Sequence, residues 1–246
     1  MDVKIAVLGG TGLIGSQVVK ILQTAGHEAV PLSPSTGVDL LTGQGLSDAL
    51  KGAEVVVNLT NSPTFDDASP AFFQTTMDNL LAAAQREGVR HAVILSIVGV
   101  DLVPDLAYYR AKVLQEDILK AGPLPYSIVR ATQFFEFIDA VISWTADEST
   151  VRLPSNPLQP IAAADVAQAV ADVSMGAPLQ GVRNIAGPDV FPLDELGRIT
   201  LAARGDARNV VTDDTAGMFA AVPGDVLIAN NDAVIAPTAY REWLGR

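Results

Sequence analysis

The chain has no cysteine. That removes disulfides, thiolate nucleophiles and thiolate metal ligands together. It has only two histidines, His27 and His91. Neither has a partner at ligand spacing, so both read as structural and no metal is expected. Asp66-Asp67 and Asp213-Asp214 are neighbours in loop sequence, and such side chains diverge into solvent. No apolar run reaches the ~18–20 residues of a membrane span. The start of the chain lacks the basic, apolar and small-residue regions of a signal peptide. Basic residues are scarce, 16 against 28 acidic, giving a net charge of −12. That excess disfavours nucleic acid and anionic membranes as partners. Neither a G-x-S-x-G elbow nor a G-x-x-x-x-G-K-[ST] loop is present, which argues against a hydrolase of either kind. The expectation is a cytoplasmic protein acting on a small molecule.

What the chain does have is apolar residues, 49% of the total against 18% charged, with a mean hydropathy of +0.30. A parallel sheet covered on both faces produces that balance, because its strands are apolar throughout. The 246 residues suit one large domain, or one with an appended lobe. Buried-strand patterns fall at residues 3–9, 27–32, 37–41, 53–60, 91–99 and 126–132. Helical spacing fits 13–26, 46–52, 71–88, 108–122 and the stretch after 132. Alternation of strand and helix implies right-handed crossovers and an α/β fold, a doubly wound parallel sheet. The rhythm changes after about Asp147 into proline-rich, extended sequence. The expected division is therefore a nucleotide-binding domain over 1–150 and a small C-terminal substrate lobe over 151–246. That boundary is soft, because the helix over 163–176, with Asp165 near its start, is able to pack back on the first part.

Between the first strand and first helix lies "GGTGLIG". Gly10, Gly12 and Gly15 fit G-x-G-x-x-G, and Gly9, Gly12 and Gly15 fit G-x-x-G-x-x-G. In this context the glycines serve a tight turn, a close approach to a pyrophosphate, and helix–strand packing. The helix N-terminus then offers free N–H groups to the phosphates. Gly9, Thr11, Gly12, Leu13, Ile14 and Gly15 are thus expected to hold a dinucleotide. The end of the second strand reads Leu32-Ser33-Pro34-Ser35-Thr36. It lacks the acid that would hold a ribose 2′-hydroxyl and the arginine that would mark a 2′-phosphate. Hydroxyls at Ser33, Ser35 and Thr36 favour NADP(H), with NAD(H) left open; the same serines would also build a plain turn. Asp39 fits either the adenine amino group or a cap on the next turn. Thr60 and Asn61 end the fourth expected strand, at the edge where ligands bind.

"AYYRAKVLQE" carries a second signal. Tyr108 and Lys112, four apart on a helix, share a face. A nearby ammonium favours phenolate, and a phenol so tuned passes protons while hydride moves to or from a nicotinamide. The lysine also suits the nicotinamide ribose. Ser96, ending the preceding strand, is placed to steady a substrate oxygen.

With these motifs in view, the sequence resembles the atypical branch of the short-chain dehydrogenase/reductase superfamily, which includes NmrA-like proteins and small NAD(P)H-dependent reductases. The resemblance covers most of the chain and rests on "GGTGLIG", "VVVNLT", "ILSIVGV", "YYRAK", "YSIVRATQFFEF" and "QPIAAADVAQAV". It implies a Rossmann fold, with the glycine loop on the pyrophosphate and Ser96, Tyr108 and Lys112 doing the chemistry. It also implies that Ala131 and Thr132, in Ala131-Thr132-Gln133-Phe134, lie beside the nicotinamide. The activity so implied is hydride transfer to a small carbonyl or quinone, with Tyr108 as proton donor. The branch also holds redox sensors without turnover, which is the alternative reading. A nucleotide-sugar epimerase or dehydratase ranks last, because it needs a larger C-terminal part. Monomer and homodimer both remain open.

Overall fold

The structure is a computed structural model and describes residues 3–245. The opening run KIAVL forms β1 (Lys4–Leu8), and the helix-spaced run after the glycines forms α1 (Leu13–Thr24). Ile14, Val18, Val19 and Leu22 are its buried stripe. β2 (Glu28–Leu32), α2 (Leu46–Leu50), β3 (Val55–Asn58) and α3 (Ser69–Arg86) follow. Then come β4 (His91–Ile97), α4 (Ala107–Ala121), β5 (Tyr126–Ala131) and α5 (Ile138–Trp144). The remainder is β6 (Thr150–Leu153), β7 (Pro157–Leu158), α6 (Ala163–Met175), β8 (Gly181–Ala186) and β9 (Phe191–Pro192). It closes with α7 (Leu193–Arg204), β10 (Asn209–Thr212), β11 (Val234–Ile235) and α8 (Tyr240–Leu244).

Seven strands make one parallel sheet in the order β11-β8-β5-β4-β3-β1-β2. Register is continuous through its centre, with Ile5 opposite both Ala29 and Val55, and Val55 opposite His91. The sheet and its flanking helices give the expected Rossmann-like α/β fold. All four residues of β3 are buried. Each such valine contributes about 1.5–3 kcal/mol by leaving water.

One expected strand is absent. Residues 37–41 form turns, not a strand. Gly37 is in the left-handed region at φ +87, the Asp39 carboxylate accepts the Leu41 N–H at 2.8 Å, and the Asp39 N–H donates to Gln44 O at 3.0 Å. The backbone there spends its donors locally, so it has none for a ladder.

The described chain divides into two compact units that interleave along the sequence. The first runs to Ser96 and adds Ala107–Arg130 and Val166–Arg183. Its core includes Leu8, Leu32, Val56, Met77, Leu80, Ile94, Leu119 and Ile128. The second comprises Ile97–Leu106, Ala131–Asp165 and the chain from Asn184. It holds the parallel pair β6–β10, the antiparallel pair β7–β9 and a buried Tyr240 whose hydroxyl bonds to Thr200 Oγ1 at 2.8 Å. The expected break between 150 and 151 falls inside this second unit, and α6 belongs to the first from Val166 onward.

Candidate functional site

The chain goes outward from β1 to β2, then returns across β1 to β3. The loops leaving β1 and β3 therefore diverge at the carboxyl edge of adjacent strands, the crevice where open α/β sheets bind ligands. The two loops touch. Gly9 lies at φ +73, and a Cβ there would sit 3.0 Å from the carbonyl carbon and oxygen of Leu59. A Cβ on Gly10 would lie 2.6 Å from Val7 O and 2.7 Å from Pro31 Cα, and one on Gly15 only 2.1 Å from Gly9 O. Those three glycines are demanded by the fold itself. Gly12 differs, since a Cβ there meets only Gly9 O, at 3.3 Å. It is the N-cap of α1, offers no side-chain cap, and no acid stands in the first turn. The first-turn N–H groups and the positive end of the helix thus face a cradle with room for an anion. Thr11 and Leu13 are exposed beside it, whereas Ile14 is buried and has only its backbone to offer. A dinucleotide pyrophosphate fits this arrangement.

At the end of β2 the Ser33 N–H donates to Thr36 Oγ1 at 2.8 Å, and the Ser33 and Ser35 hydroxyls lie 2.8 Å apart. These hydroxyls close a single turn of 3-10 helix over Pro34–Thr36. Asp39 caps its own turn, as described above. At the end of β3, Asn58, which the sequence pattern did not single out, is buried. Its Oδ1 accepts the Thr60 N–H at 3.0 Å and the Thr60 hydroxyl at 2.7 Å.

Asn61 comes next. Its Oδ1 accepts the Tyr108 phenol at 2.5 Å and the Ser62 N–H at 3.0 Å. Phe65 presents its ring to Tyr108 edge to face, with centroids 4.8 Å apart. Burial pushes the Tyr108 phenol up to about 12, only partly offset by the Asn61 contact. Lys112 is buried, and its ammonium donates to Leu95 O at 2.7 Å and Gln115 Oε1 at 2.5 Å, 5.0 Å from the Phe73 ring centroid. Burial pulls it down to about 8, against the attraction of Glu116.

The expectation that Lys112 lowers the phenol's pKa therefore needs correcting. The two residues do share a helical face, but a strand carbonyl and a carboxamide take the ammonium inward, and Tyr108 is held protonated by its surroundings. Ser96 Oγ, near the end of β4, is buried without a well-formed hydrogen bond and gives the Glu116 carboxylate only a weak contact.

The same helix carries a second, buried charged cluster. Glu116 is fully buried, and Arg130 clamps it with Nε on Oε1 at 2.8 Å and Nη2 on Oε2 at 2.7 Å. Lys120 adds a contact at 3.1 Å. Burial works to raise the Glu116 pKa, but the Arg130 hydrogen bonds and charge outweigh it and hold the group below the ordinary carboxylate range. The signal was present: Lys112, Glu116 and Lys120 recur every four residues on α4, one continuous face.

Ala131 and Thr132 belong to the second unit. There Ala131 O accepts the Val98 N–H at 3.0 Å and the Thr132 N–H donates to Ile185 O at 3.1 Å. Thr132 Oγ1 and both amide atoms of Gln133 are buried without a partner. Among the described residues, no three His, Cys, Asp or Glu side chains come together as a metal site. No described helix is long and apolar enough to cross a membrane.

Comparison with known proteins agrees with this geometry. A sequence family described as NAD(P)H-binding matches residues 34–175. The divinyl chlorophyllide a 8-vinyl-reductase of Cucumis sativus is 28% identical, over 85% of this chain and 58% of its own length. The photosystem II assembly factor Ycf39 of Cyanophora paradoxa is 24% identical, over 59% of this chain and 53% of its own. The chain thus matches little more than half the length of these relatives. Among solved structures, dTDP-4-dehydrorhamnose reductase from Bacillus anthracis, in complex with NADP, superposes with a TM-score of 0.77 at 16% identity, covering 100% of this chain and 98% of that one. The UDP-N-acetylglucosamine 4-epimerase of Bacillus cereus gives 0.70 at 21% identity, covering 86% and 85%. At such identities the two structures attest to the fold alone.

Proposed function

Since the chain belongs to the NAD(P)H-binding family, we propose that it is an NAD(P)H-dependent oxidoreductase that reduces a small carbonyl or quinone compound, with Tyr108 as proton donor. One observation carries this reading. Gly9 lies so close to the Leu59 backbone that a side chain there would collide with it, and two residues further along the chain Asn61 Oδ1 accepts the Tyr108 phenol. This supports a role for Tyr108 beside a dinucleotide held at the glycine loop.

The α1 N-terminus and Gly12 would hold the pyrophosphate. The end of β2 presents Ser35 and Thr36 in exposed positions and no carboxylate, which favours NADP(H) over NAD(H) because nothing there repels a 2′-phosphate. A bound reduced nicotinamide supplies hydride. Tyr108 keeps its proton at working pH, because burial holds the phenol near 12, and so is poised as a donor rather than a base. Ser96 would orient the substrate oxygen, as the family resemblance implies.

The first test is equilibrium titration with NADPH and NADH. The expected result is micromolar binding of NADPH and weaker binding of NADH. No binding of either at millimolar concentration would sink the reading. In a quinone and carbonyl panel, Tyr108→Phe should then lose at least ~100-fold in kcat.

The inward position of the Lys112 ammonium favours a second reading, an NADP(H)-binding sensor without turnover, and one curated relative is itself named an assembly factor. Tight NADPH binding with no turnover across the panel would select it.

A further inference from the structure

The geometry points to Asn61 as a positioning residue for Tyr108, an inference that rests on the oxidoreductase reading above. In the sequence Asn61 stands where a cofactor contact is expected. In the structure its carboxamide is already engaged. Oδ1 takes the phenolic hydrogen at 2.5 Å and the Ser62 N–H at 3.0 Å. The second bond orients the first. A backbone N–H needs an acceptor, so it fixes the oxygen end of the carboxamide, not the nitrogen end, toward Tyr108. The phenol has one hydrogen, and Asn61 holds it.

The loop behind this contact is braced from within. The Ser69 hydroxyl donates to Thr64 O at 2.7 Å, the Ser62 and Ser69 hydroxyls lie 3.0 Å apart, and Asp66 Oδ1 accepts the Ala68 N–H at 3.0 Å. Phe65, on the same loop, sets its ring against Tyr108 at 4.8 Å, and Phe73 stands 6.4 Å away. One hydrogen bond and the rings of Phe65, Phe73 and Tyr109, the last also at 6.4 Å, therefore set the phenol's orientation before any substrate arrives.

This matters for the reaction. With a reduced nicotinamide as the two-electron donor, the substrate carbonyl would take hydride at carbon and the Tyr108 proton at oxygen, and the phenolate would regain its proton from water. For that transfer the substrate oxygen takes the place of Asn61 Oδ1 as the acceptor. Asn61 Oδ1 fixes the direction of the O–H until a carbonyl oxygen replaces it as the acceptor, which is preorganisation of a proton donor. Losing it would free the phenol to rotate, lowering the fraction of bound substrate that meets a correctly placed proton. The effect belongs to kcat, not to cofactor binding.

The test uses the full chain labelled with [13Cζ]tyrosine, as wild type, Asn61→Leu and Tyr108→Phe. The chain has four tyrosines, so the Tyr108 signal is the one missing from Tyr108→Phe. Asn61→Leu should move that signal and leave those of Tyr126 and Tyr240 in place, which also reports an intact fold, while Tyr109, in ring contact with Tyr108, is not used as a control. NADPH affinity should stay within about twofold, while kcat for a reducible quinone falls about tenfold or more with little change in KM. An unmoved Tyr108 signal in Asn61→Leu overturns the proposal. So does weakened NADPH binding with kcat intact, which would make Asn61 a cofactor contact. Wild-type turnover by Tyr108→Phe would instead overturn the proton-donor reading. The two failures are separable because the spectroscopic arm needs no substrate.

Discussion

Lys112 carries an ammonium into a fully buried position, and the protein bears the cost in a pH-dependent way. The group's pKa drops from 10.5 to about 8 because burial penalises its charged form. Below pH 8 it is protonated in both folded and unfolded chains, and the penalty is complete. Between 8 and 10.5 the unfolded chain holds the proton and the folded chain does not, so stability from this residue rises with pH across that window. The whole span is worth on the order of 3 kcal/mol. Lys112→Met removes the titration. In urea unfolding between roughly pH 7 and 9.5, wild type should gain stability relative to Lys112→Met as pH increases. Parallel curves would show that the ammonium is solvated, not buried. The residue itself was legible from its Tyr-x-x-x-Lys spacing. Its rotamer was not, because the acceptors that draw it inward, Leu95 O and Gln115 Oε1, carry no signature that points at a lysine. Tyr108 shows the same limit. Its candidacy was plain in sequence, but its partner, Asn61, lies 47 positions away.

Elements were read well wherever burial was two-sided. β1, β3 and β4 are mainly apolar, with polar residues only toward their ends, and none is an edge strand, so their pattern needed little context. α1, α3 and α4 showed their buried stripes at helical spacing. The strands after residue 150 escaped because they are short or half exposed, as in β8, where only Ile185 and Ala186 are buried. The glycine loop is the informative case. Two registers fitted the sequence equally well, and the structure divides the glycines by what surrounds them rather than by motif position. From that division comes a paired prediction. Gly15→Ala forces a methyl to 2.1 Å from Gly9 O, an overpacking that should cost at least ~2 kcal/mol and lower Tm by several degrees. Gly12→Ala meets only one oxygen at 3.3 Å and should stay within about 1 kcal/mol of wild type. It should nonetheless weaken NADPH binding about tenfold or more, because the methyl occupies the anion's approach. Thermal melts and equilibrium titration on both variants decide it. Equal loss of stability in the two would mean that Gly12 also belongs to the packing.

Across the whole molecule, the sequence reading left room for α6 to return to the first unit but did not anticipate that residues 97–106 and 131–150 belong to the second. The charge imbalance has a measurable consequence. Of the 16 basic residues, many are already held in ion pairs, among them Arg90–Glu54, Arg130–Glu116, Arg198–Asp194, Arg204–Asp139 and Arg208–Asp206. The 28 acidic residues exceed what these cations neutralise, so the folded surface carries a standing excess of carboxylates near neutral pH. All of these except Arg130–Glu116 are partly exposed, and such pairs contribute only ~0–1 kcal/mol each and are screened by salt. Repulsion among the surplus carboxylates is screened as well, and it acts over more pairs. The two effects have opposite signs, and at a net charge of −12 the repulsion should win. Sodium chloride raised to about 0.5 M should therefore increase Tm at pH 8. The gain should shrink toward the calculated isoelectric point near 4.4, where the surplus is titrated away and only the screening of favourable pairs remains. A Tm that falls with salt at pH 8 would mean that local ion pairs, not net charge, govern the surface. Arg130–Glu116 would then be the pair to separate out, since it is the buried one and the least open to screening.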